Sequence, residues 1–306
     1  MSSSSAPIDL AGIFPPIATP FDERGSVRPS ALERNLEFLN LYDLKGVVVL
    51  GSNGEFVLLT REEKLITIET VRDLLPPGRL LIAGTGCEAT QETVELSRSA
   101  ARAGADAALV ITPHYYKNRM DREALIRHFT TVADDSPIPI ILYNMPASTG
   151  LDLDSPTVTE LARHGNIMGI KDSSGNLNKM AQILGTVKGD FQILAGSAGF
   201  LLPALSLGAV GGVVALANVA PGLCIDLYQA FLRGELDRAV DLQVRIVGLN
   251  NLVTREGGVP ALKAALDLVG LVGGPPRPPL QPAGTEMRER LRRSLSELDL
   301  LGEGTN

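Results

Sequence analysis

Gly46-Val47-Val48-Val49-Leu50 is a run with no polar side chain. A strand buried on one face alternates polar and apolar residues, so an uninterrupted β-branched run suits a parallel sheet covered on both faces. The residues that follow point the same way. Thr60 and Glu63 stand at capping-box spacing, Leu65, Ile68, Val71 and Leu75 fall on one helical face, and Pro76-Pro77-Gly78 ends the helix. Arg79–Thr85 then opens a second apolar run, which completes a strand, helix, strand unit.

The same unit recurs in both directions along the chain. Candidate strands are Gly12–Phe21, Gly46–Leu50, Arg79–Thr85, Ala107–Pro113, Ile138–Asn144, Ile167–Lys171, Phe191–Gly196 and Gly212–Ala217. Between them Ser155-Pro156 offers an N-cap and first-turn proline, and Asp121 opens a helix with Leu125, Phe129 and Val132 on its inner face. Eight βα units predict an α/β fold, a closed (β/α)8 TIM barrel, because an open sheet of that width tends to curl or split. The expected organisation is a tail over residues 1–8, a barrel over 9–233 and a C-terminal helical extension over 234–306. Helices are expected at about Pro221–Arg233, which closes the barrel, then Leu236–Thr254 and Pro260–Leu268. A proline-rich passage, Gly273–Pro282, and a charged helix from Thr285 come last. The extension either packs on the barrel or builds an oligomer contact.

Composition narrows the function classes. Of 306 residues, 44% are hydrophobic and 21% charged, which fits a packed core and excludes a disordered or collagen-like chain. A net charge of −7 without basic blocks argues against nucleic-acid or anionic-membrane partners, which require clustered Lys and Arg. Cys87 and Cys224 are the only cysteines, too few for a disulfide scaffold or a structural zinc site, and a reducing cytoplasm is expected. The opening Met1–Pro7 has neither a charged nor an apolar region of the signal-peptide kind. Phe191–Ile225 carries no charge, but Pro203, Gly211, Gly212, Asn218 and Pro221 divide it as a buried barrel segment would be divided, so no membrane span is expected.

In a barrel of this kind the loops after the strands form the active face. Lys171 closes the largely apolar run Asn166–Ile170 and precedes Asp172-Ser173-Ser174-Gly175. An amine held in apolar surroundings is disfavoured as ammonium, which frees it to form an imine with a carbonyl substrate. The competing reading is a lysine that snorkels or pairs with Asp172. Two other strand ends bear on the choice. Gly51-Ser52-Asn53-Gly54-Glu55 is a glycine-bracketed loop whose amides and Ser52 hydroxyl could cradle a carboxylate, and Tyr143-Asn144-Met145-Pro146 presents a phenol fit for proton relay. A loop, a phenol and an amine on one rim form the constellation that imine chemistry on a 2-oxo acid requires. His114, His128 and His164 lack ligand spacing, so no metal is expected, and no organic cofactor is needed when lysine supplies the electron sink. Gly84-Thr85-Gly86 lacks the spacing of a nucleotide motif.

The opening Gly12–Phe21, the loop Gly51–Glu55, the segment Tyr143–Pro146 and the segment Gly169–Asp172 stand together as they do in one family. Over roughly residues 9 to 300 the chain resembles the dihydrodipicolinate synthase and N-acetylneuraminate lyase family of class I aldolases. The resemblance implies Lys171 as the Schiff-base lysine, Tyr143 as the acid/base phenol, Ser52 and Asn53 as ligands of the pyruvate carboxylate, and the Val213 carbonyl in the pocket wall. It also implies a homo-oligomer, a dimer or tetramer, and a second relay tyrosine supplied by a neighbouring subunit. Ungapped alignment selects Tyr115 for that role, and a shift of one residue selects Tyr116.

Two departures bear on substrate. Ser148 stands where the synthases usually carry an arginine for the carboxylate of aspartate semialdehyde, and Ser52 and Asn53 replace their threonine pair. With Tyr143–Gly150 these features look more like 4-hydroxy-2-oxoglutarate aldolase. The expectation is therefore cleavage of 4-hydroxy-2-oxoglutarate to pyruvate and glyoxylate, with Ser173 on the distal part of the substrate. The alternatives are 4-hydroxy-tetrahydrodipicolinate synthase and, from another class, a non-catalytic 2-oxo acid sensor.

Overall fold

The structure is a computed structural model that describes residues 8–301, so all but the last residue of the expected N-terminal tail lies outside the described residues. Eight parallel strands run in chain order: β1 Gly12–Phe14, β2 Gly46–Val49, β3 Leu80–Gly84, β4 Ala107–Ile111, β5 Ile140–Asn144, β6 Ile167–Asp172, β7 Gln192–Ala195 and β8 Gly211–Val213. Their order in the sheet is β1-β8-β7-β6-β5-β4-β3-β2. The remaining seam, between β1 and β2, is closed by the Pro16–Val48 bridge. Hydrogen bonds from the Lys45 amide to Ile13 O (3.1 Å), the Val48 amide to Pro15 O (3.0 Å) and the Ile17 amide to Val48 O (2.9 Å) complete the barrel.

Two strands are shorter than their apolar runs. β1 stops at Phe14 and does not reach Phe21, because Pro15 and Pro16 have no N–H to give a ladder. β8 stops at Val213, and Ala215–Asn218 winds into a 3-10 turn instead of continuing to Ala217. The Asn218 amide explains the change: it donates to Ala215 O (2.9 Å) and to Pro16 O (3.0 Å), tying the end of β8 to the end of β1.

Helix starts follow local chemistry. Thr60 and Glu63 form the reciprocal capping box of helix Arg61–Leu74, worth about 1 kcal/mol, and Asp121 accepts from the Ala124 amide at the start of Arg122–Asp135. Before Ser155–Leu161 the cap is Asp154, not Ser155, because its carboxylate accepts from the Thr157 amide at 2.8 Å. Ser155 and Pro156 occupy the first turn.

Strand alternation divides the core in two. Phe14, Val48, Ile82, Leu109, Ile141, Leu194 and Val213 fill the barrel interior, while Val47, Val49, Leu81, Ala108 and Leu142 face the surrounding helices. The helices beyond residue 234 are Leu236–Asn251, continued by a wider turn over Leu252–Glu256, then Gly258–Leu268 and Thr285–Glu297. Ile246, Leu249, Leu262 and Leu291 join the outer cluster, so these helices pack on the barrel.

Candidate active site

β5 and β6 pair Tyr143 with Lys171, and the same row continues to Ile111 of β4 and Leu194 of β7. Side chains in one row of a parallel sheet share a face. Ile111, Tyr143 and Leu194 all line the barrel interior, so Lys171 points there too. Lys171 is 3% exposed, and its Nζ lies 4.0 Å from the centroid of the Tyr143 ring. The Tyr143 hydroxyl in turn shares a 3.1 Å hydrogen bond with Ser52 Oγ, which arrives on the loop after β2. An amine and a phenol from two strands and a hydroxyl from one loop therefore meet at one mouth, with Asn53 half-buried beside Ser52 on the same short turn.

That turn is bracketed by strain. Leu50 (φ 56°) and Glu55 (φ 54°) both adopt the left-handed conformation, which costs a side-chain-bearing residue about 1–2 kcal/mol each. The tight path explains Gly84: a Cβ there would stand 1.9 Å from Leu50 O. The far side of the turn is held by Thr19, whose hydroxyl donates to Gly54 O at 2.8 Å.

Alternation sends Asn144 and Asp172, the residues after Tyr143 and Lys171, to the opposite face. Asn144 Nδ2 donates to Asp152 Oδ1 (2.7 Å) and Asp172 Oδ1 (3.0 Å), and the Leu153 amide donates to Asn144 Oδ1 (2.9 Å). Lys179, itself buried, pairs with Asp152 and lies 3.3 Å from Asp172 Oδ2. Asp172 thus joins a network behind the strands and is not the partner of Lys171. The Ser173 amide donates to Asn144 O (2.9 Å), while its buried Oγ has no hydrogen-bond partner. That hydroxyl occupies the space over Gly196, where a Cβ would come within 2.0 Å of it.

Val213 is buried at the end of β8, in the interior cluster with Tyr143. Tyr115 is 76% exposed on the loop after β4 and stacks edge-on against Tyr116, which is 70% exposed; neither joins the Ser52–Tyr143 hydrogen bond. Glu88 pins this loop by accepting from the His114 and Tyr115 amides at 2.9 and 2.8 Å. The three histidines sit apart, His114 against Glu88, His128 against Thr90 and His164 against Asp134. Among the described residues no helix is long and apolar enough to cross a membrane. Asn144 and Lys179 escaped the reading of the sequence. Asn144 carried a signal in its place beside Tyr143, and Lys179 carried none.

A profile of the Dihydrodipicolinate synthetase family matches residues 9–298. The chain belongs to this family. Like its relatives it is an aldolase-type carbon–carbon lyase. It is 40% identical over 294 residues to a 4-hydroxy-tetrahydrodipicolinate synthase of Methanothrix thermoacetophila, covering 95% of this chain and 98% of the relative. A probable mitochondrial 4-hydroxy-2-oxoglutarate aldolase of Emericella nidulans is 37% identical over 293 residues, 94% of each protein. Among solved structures, the chloride-inhibited dihydrodipicolinate synthase of Acinetobacter baumannii, determined with pyruvate, superposes with a TM-score of 0.91 at 31% identity, covering 96% of this chain and all of that one. The expected barrel and family thus hold. The expectation that 4-hydroxy-2-oxoglutarate cleavage leads is weakened, since the relatives from Methanothrix thermoacetophila, Methanococcoides burtonii and Methanopyrus kandleri all carry the synthase name.

Proposed function

We propose that the barrel mouth forms an imine between Lys171 and a pyruvate-type 2-oxo acid and makes or breaks a carbon–carbon bond next to it. The observation that carries this reading is the convergence of Lys171 Nζ, the Tyr143 phenol and Ser52 Oγ at one place. Nitrogen attack on the keto carbon and loss of water give a protonated imine, which accepts the electron pair of the adjacent C–C or C–H bond. Tyr143 moves protons to and from the carbinolamine and the reacting carbon. Ser52 and Asn53 receive the C1 carboxylate, Val213 lines the wall through its carbonyl, and the unpartnered Ser173 hydroxyl is available to the distal half of the substrate.

The names of the relatives favour condensation of pyruvate with aspartate semialdehyde, the 4-hydroxy-tetrahydrodipicolinate synthase reaction. A second reading is favoured by Ser148, exposed on the short helix Pro146–Thr149 where the synthases usually carry arginine: cleavage of 4-hydroxy-2-oxoglutarate, the activity named for the Emericella relative. The exposure of Tyr115 and Tyr116 supports a homo-oligomer in which one of them completes a neighbour's relay.

Borohydride reduction in the presence of pyruvate, followed by peptide mapping, should place one adduct on Lys171. An unlabelled Lys171 refutes the imine. Glyoxylate release from 4-hydroxy-2-oxoglutarate compared with condensation of pyruvate and aspartate semialdehyde decides the substrate, and the larger kcat/KM names it.

A further inference from the structure

The loop that carries Ser52 and Asn53 is gripped by residues far along the chain. Glu55 ends that loop in a left-handed conformation (φ 54°, ψ 34°) and is only 2% exposed. Lys263, on helix Gly258–Leu268 and 1% exposed, brings Nζ to 2.5 Å from Glu55 Oε1, and the Arg277 amide donates to Glu55 Oε2 at 2.8 Å. Lys263 Nζ also donates to Pro275 O (3.0 Å) and lies 4.2 Å from the Phe21 ring centroid. Burial pushes the Lys263 ammonium toward deprotonation, and the Glu55 hydrogen bond opposes that. The Arg277 guanidinium donates to Leu58 O (2.7 Å) and to both oxygens of Glu63 (2.7 and 2.6 Å).

An enclosed ion pair is a poor source of cohesion, since desolvation offsets much of the attraction and apolar residues of the same volume often pack as well. It is a good means of fixing direction. A carboxylate with an ammonium at one oxygen and a backbone amide on the other is restricted in orientation, and here it is attached to a strained backbone one residue beyond the Ser52–Gly54 turn. We propose that Lys263, through Glu55, is a positioning residue for the substrate carboxylate: it keeps the turn wound so that the Ser52 and Asn53 groups converge on one point. The inference rests on the imine reading above and gives the helices after the barrel a share in substrate binding.

The test uses the full-length protein with Lys263→Met, Glu55→Gln and the double variant. Pyruvate-dependent trapping on Lys171 should show half-saturation raised about tenfold or more in each single variant, with an unchanged plateau. Amides 52–55 of the pyruvate-free protein should exchange faster with deuterium. The double variant, which removes both charges, should bind no worse than the poorer single variant and secures the test if a lone buried charge prevents folding. Half-saturation within twofold of the parent overturns the proposal. Should the parent itself fail to trap pyruvate, the imine reading falls separately, and unchanged loop exchange in the variants overturns the clamp.

Discussion

Tyr143→Phe separates chemistry from architecture. The substitution removes one hydroxyl, whose protein contact is the 3.1 Å hydrogen bond to Ser52 Oγ. A bond of this kind contributes about 1 kcal/mol net, so the unfolding midpoint of the variant should fall by only about 1–2 °C. The ring keeps its place among Ile111, Ile141 and Leu194, and its face stays under Lys171. Turnover should behave quite differently. Without the phenol no group at this position can move the proton, and loss of a positioned acid/base typically costs 10²–10⁴-fold, or about 3–5 kcal/mol in the barrier. Ser52→Ala is the control: it deletes the same hydrogen bond but spares the phenol, so it should raise KM for the 2-oxo acid while lowering kcat far less. Thermal unfolding and steady-state kinetics on both variants suffice. Turnover by Tyr143→Phe within threefold of the parent would falsify the assigned role.

Lys179→Met strands the buried carboxylate of Asp172 behind β6 and should cost about 3–5 kcal/mol in urea unfolding; a loss under 1 kcal/mol would count against the network. Gly84→Ala drives a methyl into Leu50 O and should destabilise by about 2 kcal/mol or more while raising KM for pyruvate, because the shifted atoms begin the Ser52 loop. An unaltered KM would mean that the loop absorbs the clash. His128 gives a pH signature: burial holds its imidazole down to about 4, against 6.5 in the unfolded chain. Between those values the unfolded chain takes up the proton and the native one does not. Stability is therefore complete above about pH 6.5 and should decline toward pH 4 by on the order of 3 kcal/mol. His128→Gln should flatten that component of the pH–stability curve, and an identical curve would exonerate the residue.

Much of the barrel was legible because its strands are buried on both faces and its helices carry their own caps, so that local pattern and global fold agree. Where the reading overran, the cause was a backbone requirement hidden by apolar composition. Pro15-Pro16 and the Asn218-tied turn look hydrophobic enough to extend β1 and β8 yet cannot continue the ladder. The rim residues Ser52, Tyr143 and Lys171 could be singled out since each lies at or just beyond the C-terminal end of a strand. Glu55, Lys263 and Arg277 could not, because an ion pair between distant segments leaves no periodicity behind it. Substrate choice was the least legible part: Ser148, the Ser52–Asn53 pair and the Tyr143–Gly150 segment spoke for cleavage, while similarity along the whole chain leans toward condensation.

The grip on the Ser52 loop also has a timing. Synthesis produces that loop near the start of the chain, and its anchors Lys263 and Arg277 near the end. A growing polypeptide can pair β5 with β6, and so set Tyr143 beside Lys171, well before the Ser52 loop gains its two late anchors. A fragment lacking the late helices would keep Tyr143 and Lys171 on paired strands but leave the Glu55 end of the Ser52 loop without these contacts.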